Sequence, residues 1–298
     1  MANLKVIRTR IESVASTRQI TSAMKMVSAA KLRRAQDAVV NLRPYADRLQ
    51  LILETISENL KDDEDFVYVK EKGTIDKVLL VVITSNRGLC GAFNTNVLKL
   101  SVLIANERYK NQLMKNNVDF FAIGKKGEEY LKKRNYNVVK SQNHIYDSLT
   151  FENVASISTS IMEQYVSGKY DRVEIIYNQF KNAAVQILTE EQFLPVKVDV
   201  PKDNERIILK TFTDYIFEPS KEFIIKELVP RSLKLQFYKA LIDSYASEHG
   251  ARMTAMHKAT DNATEMIKQL KLDYNKARQA SITNEILEIV SGANALRG

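Results

Sequence analysis

Few residues in this 298-residue chain could do chemistry. Cys90 is the only cysteine, the three histidines are His144, His249 and His257, and tryptophan is absent. A single thiol excludes an internal disulfide and a cysteine-based zinc site, and scattered histidines offer no ligand set at metal spacing. No histidine neighbours Cys90 in sequence, so the thiol reads as a small buried residue rather than a nucleophile. The carboxylates form no diagnostic pair. A phosphate cradle has its one footing in Ser85-Asn86-Arg87-Gly88-Leu89-Cys90-Gly91-Ala92-Phe93-Asn94. That stretch is not G-x-x-x-x-G-K-[ST], and it lacks the third glycine of the dinucleotide fingerprint. Gly124-Lys125-Lys126-Gly127 is no P-loop either. Both stretches read as tight strand-to-helix turns that need positive φ. The residues point to no catalytic centre, no metal and no cofactor.

What remains is architecture. Stepping from residue 7 alternately by four and three gives Ile7, Ile11, Val14, Arg18, Thr21, Lys25, Ser28, Leu32, Ala35, Val39, Leu42, Ala46, Leu49, Leu53, Ile56 and Leu60. Such spacing is a coiled-coil seam. Arg18, Thr21, Lys25 and Ser28 interrupt it, and the neighbouring Ile20, Met24 and Val27 suggest that the seam steps sideways there. Pro44 should kink the helix. A second ladder runs Met256, Thr260, Ala263, Ile267, Leu270, Tyr274 and Ala277, then shifts to Ile282, Ile286, Ile289, Ala293 and Leu296. Pro219 and Ser220 precede its helix as a start signal, and Pro230 should kink it. Only nine glycines and five prolines are present, and the first glycine is Gly73, as long terminal helices require.

The middle has another grammar. The runs 77–84, 118–123, 173–177 and 185–193 read as strands, the first apolar enough to be buried on both faces. Helices are expected over 126–134 and 151–166. Alternating strands and helices imply an α/β sandwich with a mostly parallel sheet. The polar segment 197–218 reads as a connector. The expected organisation is a helix over 1–60, a central Rossmann-like α/β domain over 61–219 and a second helix over 220–298. The two helices pair as a long antiparallel coiled coil. At about 1.5 Å per residue they would span roughly 90 and 118 Å, so the last ~19 residues overshoot as a single-helix tip.

Charge follows the same division. Residues 1–60 carry ten Lys/Arg against five Asp/Glu, residues 220–298 twelve against nine, and the middle 22 of each. The whole excess of +8 lies on the helices. Lys31-Leu32-Arg33-Arg34 is the dense basic cluster of the first helix, and an acidic partner suits it. The excess is small for duplex binding, and no nucleic-acid partner is expected. The longest apolar run, residues 78–83, is far short of the roughly 20 residues of a membrane span. The N-terminus lacks the apolar core of a secretory signal. The tip 282–296 is apolar on more than one seam, as if inserted into something.

Four stretches carry a resemblance: Ile20-Thr21-Ser22-Ala23-Met24-Lys25-Met26-Val27, Arg87-Gly88-Leu89-Cys90-Gly91, Ala259-Thr260-Asp261-Asn262-Ala263, and 274–295. The chain resembles the gamma subunits of F-type ATP synthases of the bacterial type over its whole length, least distinctively in the middle. The resemblance implies a non-catalytic central rotor shaft, coiled inside a ring of alpha and beta subunits. It also implies a globular foot resting, with the epsilon subunit, on the membrane ring of c subunits. Proton-driven rotation of the shaft would change the nucleotide affinities of the beta subunits, with no nucleotide bound directly by the shaft. By the same resemblance Met24 and Lys25 lie near the acidic beta-subunit lever, and Arg278, Gln279, Thr283 and Glu285 near the catch loops. Arg33 and Arg34, with Ile286 and Ile289 of the tip, complete the expected ring-facing set. The place implied is peripheral, on the cytoplasmic side of the bacterial membrane. Two rivals stand beside it: a hinge-and-coil nucleic-acid-handling protein, and an α/β enzyme with helical oligomerisation arms.

Overall fold

The computed structural model describes residues 4–57, 68, 73, 75–196 and 221–295. In order these form α1 (Leu4–Ser57), β1 (Val78–Ile83), α2 (Phe93–Glu107), α3 (Lys110–Met114), β2 (Val118–Ile123), α4 (Lys125–Lys133), β3 (Val138–Gln142), α5 (Phe151–Val166), β4 (Arg172–Phe180), β5 (Gln186–Leu194) and α6 (Lys221–Ala295). Both long helices continue through their prolines, Pro44 in α1 and Pro230 in α6. Each proline removes a backbone hydrogen bond without ending the helix. The chain divides into two compact units, one of residues 30–251 and one of 1–29 with 252–298. Leu60, Leu296, the connector 197–218 and the Pro219-Ser220 start signal lie outside the described residues, as do the side chains of Leu53 and Ile56.

The larger unit is built on a five-stranded sheet of order β3-β2-β1-β4-β5. β1 pairs in parallel with β2 and β4, β2 in parallel with β3, and β5 antiparallel to β4. All six residues of β1 are buried. Val78, Leu80 and Val82 face a cluster with Val97, Leu98 and Ile104 of α2 and Leu131 of α4. Leu79, Val81 and Ile83 face Val154, Ile157 and Ile161 of α5, and with them Val229, Leu233, Phe237 and Leu241 of α6. Those four α6 residues recur every four positions, one stripe laid on the sheet. Leu235, on another face of α6, packs with Ala46 and Leu49 of α1. This stretch of α6 therefore has apolar contacts on two sides and keeps a narrow polar stripe at Glu227, Arg231 and Lys234.

The smaller unit is a helix pair. Thr21 Oγ1 lies 2.8 Å from Thr260 Oγ1, and Lys25 Nζ lies 3.3 Å from His257 Nδ1. Numbers rise on α1 as they fall on α6, so the pair is antiparallel. The seam does not step sideways as the sequence suggests. Thr21 and Ser28 are buried in line with the other rungs, whereas Ile20 and Val27 are each 58% exposed and Met24 alone of the three is half-buried. At Thr21 and at Thr260 opposite it, the reason is that the hydroxyls are satisfied locally. Thr21 donates to the Arg18 carbonyl at 3.0 Å, and Thr260 lies 2.8 Å from the Met256 carbonyl. Burying them in a seam then leaves no unpaired polar group.

Candidate ring-facing surface and the closed nucleotide crevice

In an open α/β sheet, ligands sit beyond the carboxyl ends of the strands, where the strand order reverses. Here that place is the end of β1, beside the turn 85–92. The turn is held from within. The Ser85 amide donates to Asn94 Oδ1 at 2.9 Å, and Asn94 Nδ2 donates to Ser85 Oγ at 2.8 Å and to Cys90 Sγ at 3.2 Å. Leu89 and Gly91 adopt φ of 62° and 60°, the positive values expected of this turn. Gly124, at φ 100°, is required for a second reason: a Cβ there would stand 2.1 Å from the Thr84 carbonyl oxygen. Cys90 is buried at 2% exposure.

Tyrosines stand at this end of β1. Tyr146 Oη donates to the Thr84 carbonyl at 2.8 Å, and its ring stacks on Tyr245 of α6 at 6.0 Å. Burial, with Glu248 and Tyr245 adding to it, pushes the Tyr146 phenol well above its ordinary value, so it stays a donor. Tyr245 in turn meets the edge of His249 at 4.5 Å. Tyr146 thus links the end of β1 to the C-terminal helix.

A second titratable cluster lies near the start of β4. Glu174 is 1% exposed. It accepts from Tyr109 Oη and pairs with Arg172 Nε at 3.2 Å and Arg108 at 3.4 Å. Burial pushes its carboxyl above the usual range, outweighing the Tyr109 hydrogen bond and the two arginines. These groups join the end of α2 to β4. Among the described residues, no group of side chains could hold a metal ion.

The expected ring-facing residues fall at separate places. Met24 and Lys25 are half-buried on α1, beside the Thr21–Thr260 layer. In the larger unit, Arg33 and Arg34 are exposed on either side of the buried pair Leu32 and Ala35. Arg278, Gln279, Thr283, Glu285, Ile286 and Ile289 are all exposed on α6. Thr283 donates to the Gln279 carbonyl at 2.9 Å, and Ser281 donates to Glu285 at 3.2 Å, so both bond within their own helix. Residue 278 stands roughly 30 Å along α6 from His257; the structure therefore does not join Lys25 to the tip residues. Sequence reasoning missed His257 and Thr260 as partners across the seam. Thr260 was visible as a rung, whereas His257 gave no local signal.

Extending the register of Thr21–Thr260 and Lys25–His257 carries Leu4 to the neighbourhood of Ala277. Beyond that point α6 continues to Ala295 with no described residue of α1 beside it. Ile286 and Ile289 are 54 and 71% exposed, with Ile282, Leu287 and Val290 exposed around them. In a Cys90→Ser background, cysteines at Thr21 and Thr260 should therefore cross-link readily, and cysteines at Arg10 and Val290 should not. Efficient cross-linking of the second pair on a non-reducing gel would contradict this register.

The family model for ATP synthase matches residues 3–296. A chain of Flavobacterium psychrophilum named ATP synthase gamma chain is 58% identical over 301 residues, covering all of both chains. This chain belongs to the ATP synthase gamma family. Among solved structures, the central stalk and c-ring of the Tetrahymena thermophila mitochondrial ATP synthase contains a chain 29% identical to it, with a TM-score of 0.60. That match covers 80% of this chain and 99% of the other. A chain of the Euglena gracilis mitochondrial assembly of OSCP, F1 and c-ring has the same fold, with a TM-score of 0.67 at 20% identity over 98% and 94% of the two chains. As a gamma chain, the protein is a component of a rotary, F-type ATP synthase. Neither the nucleic-acid-handling reading nor the enzyme with oligomerisation arms finds support in this family. Among the described residues, no helix is long and apolar enough to cross a membrane.

Proposed function

We propose that this gamma chain is the central rotor shaft, turning proton-driven rotation of the c-ring into conformational change in the catalytic beta subunits. The observation that carries the reading is the tip: α6 outruns α1 and exposes a run of aliphatic side chains that none of the described residues covers. Contiguous exposed apolar surface belongs against a partner. A sleeve of alpha and beta subunits around 278–295 is that partner, with Arg278, Gln279, Thr283 and Glu285 as its polar contacts. The exposed Ile20, Met26 and Val27, with Met24 and Lys25 beside them, supply a second contact with the ring, at the acidic lever of beta.

The segment 61–219 serves as the foot, against epsilon and the c-ring, between the shaft helices α1 and α6. This places the chain peripherally, on the cytoplasmic face of the membrane. The shaft itself is not catalytic and binds neither nucleotide nor nucleic acid; the tyrosines that tie the end of β1 to α6 favour that reading. The purified chain alone should show no ATP hydrolysis and no saturable nucleotide binding at micromolar concentration. Cys90→Ser should leave turnover of the reconstituted complex intact, with a small packing loss. ATP hydrolysis by the chain alone, abolished by Cys90→Ser or Arg87→Ala, would overturn the proposal.

A further inference from the structure

The polar layer of the coil holds an arrangement that packing does not require. His257 Nδ1 lies 3.3 Å from Lys25 Nζ on α1 and 3.5 Å from Asp261 Oδ2, one turn further along α6. One ring nitrogen thus faces both an ammonium and a carboxylate. An ammonium only donates, so Lys25 can bond Nδ1 only when that nitrogen carries its lone pair and the ring proton sits on Nε2. A carboxylate only accepts, so Asp261 can bond Nδ1 only when a proton is there. The two partners are mutually exclusive. A second proton on the ring therefore removes the Lys25 bond, sets two like charges side by side, and gains the bond to Asp261.

The surroundings leave the choice to these three groups. Lys25 is the only charged residue of α1 between Arg18 and Lys31, and Lys258 and Asp261 are the only ones of α6 between Arg252 and Glu265. Lys258 follows His257 directly and so projects about 100° away around the helix. Histidine is the residue type whose charge changes within the physiological range.

We propose that His257 is a proton-operated positioning residue for Lys25. The neutral ring draws the ammonium onto the seam; the protonated ring turns to Asp261 and releases the ammonium outward. The consequence for coupling rests on the placement of Lys25 towards the ring proposed above, whereas the exchange of partners does not.

Acylation of Lys25 in the full chain, measured by mass spectrometry as a ratio to the exposed Lys276, tests the exchange. The ratio cancels the reagent's own pH dependence. Between about pH 8 and pH 6 it should rise at least about threefold in the wild-type chain, the equilibrium worth of one modest hydrogen bond. His257→Gln keeps an acceptor at every pH and should give a low, flat ratio; His257→Phe keeps none and should give a high, flat one. A flat wild-type ratio would overturn the proposal. So would a pH response retained in His257→Phe, or a glutamine variant that behaves like the phenylalanine one. All of these are read on the chain alone. Failure of the ring-facing reading would instead appear only in the assembled complex, as a Lys25→Gln variant with unchanged turnover and coupling.

Discussion

Replacing Ile286 and Ile289 together by glutamine is expected to abolish coupled turnover of the assembled complex while leaving the thermal unfolding of the isolated chain unchanged. Both side chains are more than half exposed, and both lie beyond the point where α1 ends, so the chain's own stability does not depend on them. Inside a sleeve each buried aliphatic side chain would contribute about 1.5–3 kcal/mol, and an amide in its place leaves polar groups to satisfy. The two readouts separate assembly from folding. Calorimetry of the isolated variant should match the wild type, and complex yield by gel filtration should fall sharply. A variant that assembles and couples normally would mean that the tip is not enclosed.

The second large effect is electrostatic. Changing Lys25, Arg33 and Arg34 together to glutamine should weaken assembly or coupling most at low ionic strength, and the difference from wild type should shrink as salt is added. The excess positive charge of the sequence lies entirely on the terminal helices, and Arg33 and Arg34 are exposed. Exposed charges facing each other across a gap interact weakly and are screened within about 10 Å at 0.1 M salt, so each position alone should matter modestly. Titrating salt in a hydrolysis assay checks this. A loss independent of ionic strength would assign these residues to packing instead.

Much of this architecture is legible in the residues, for identifiable reasons. β1 is read correctly because a strand buried on both faces appears as an unbroken apolar run, β2 because Asp119 alone interrupts its run, and α5 because its apolar residues keep helical spacing. β3 escapes because it is a sheet-edge strand whose Val139 and Lys140 are exposed, so Val138-Val139-Lys140-Ser141-Gln142 shows neither a run nor a clean alternation. α2 carried a usable signal in Phe93, Val97 and Ser101, all buried. The polar Ser101 blurs that stripe, although its hydroxyl is satisfied by the Leu98 carbonyl at 2.9 Å. The seam at Thr21 escapes a reading by hydrophobicity alone, because a hydroxyl that bonds back to its own helix fits a seam as well as a methyl group does. The candidate site was legible at the tip, where exposed aliphatics stand on one helix. It was not legible at the crevice or the polar layer, since Tyr146 with Tyr245 and Lys25 with His257 meet only through the tertiary fold.

The central claim is that this chain turns while the subunits around it react. Met114 is 72% exposed at the end of α3, so Met114→Cys in a Cys90→Ser background gives one accessible thiol in the foot. A bead attached there, on complexes fixed to a surface through the alpha and beta ring, reports shaft motion during ATP hydrolysis. The expected result is sustained rotation in one direction whose rate follows ATP turnover, lost in the Ile286→Gln, Ile289→Gln variant. Full turnover with a stationary bead would contradict the account.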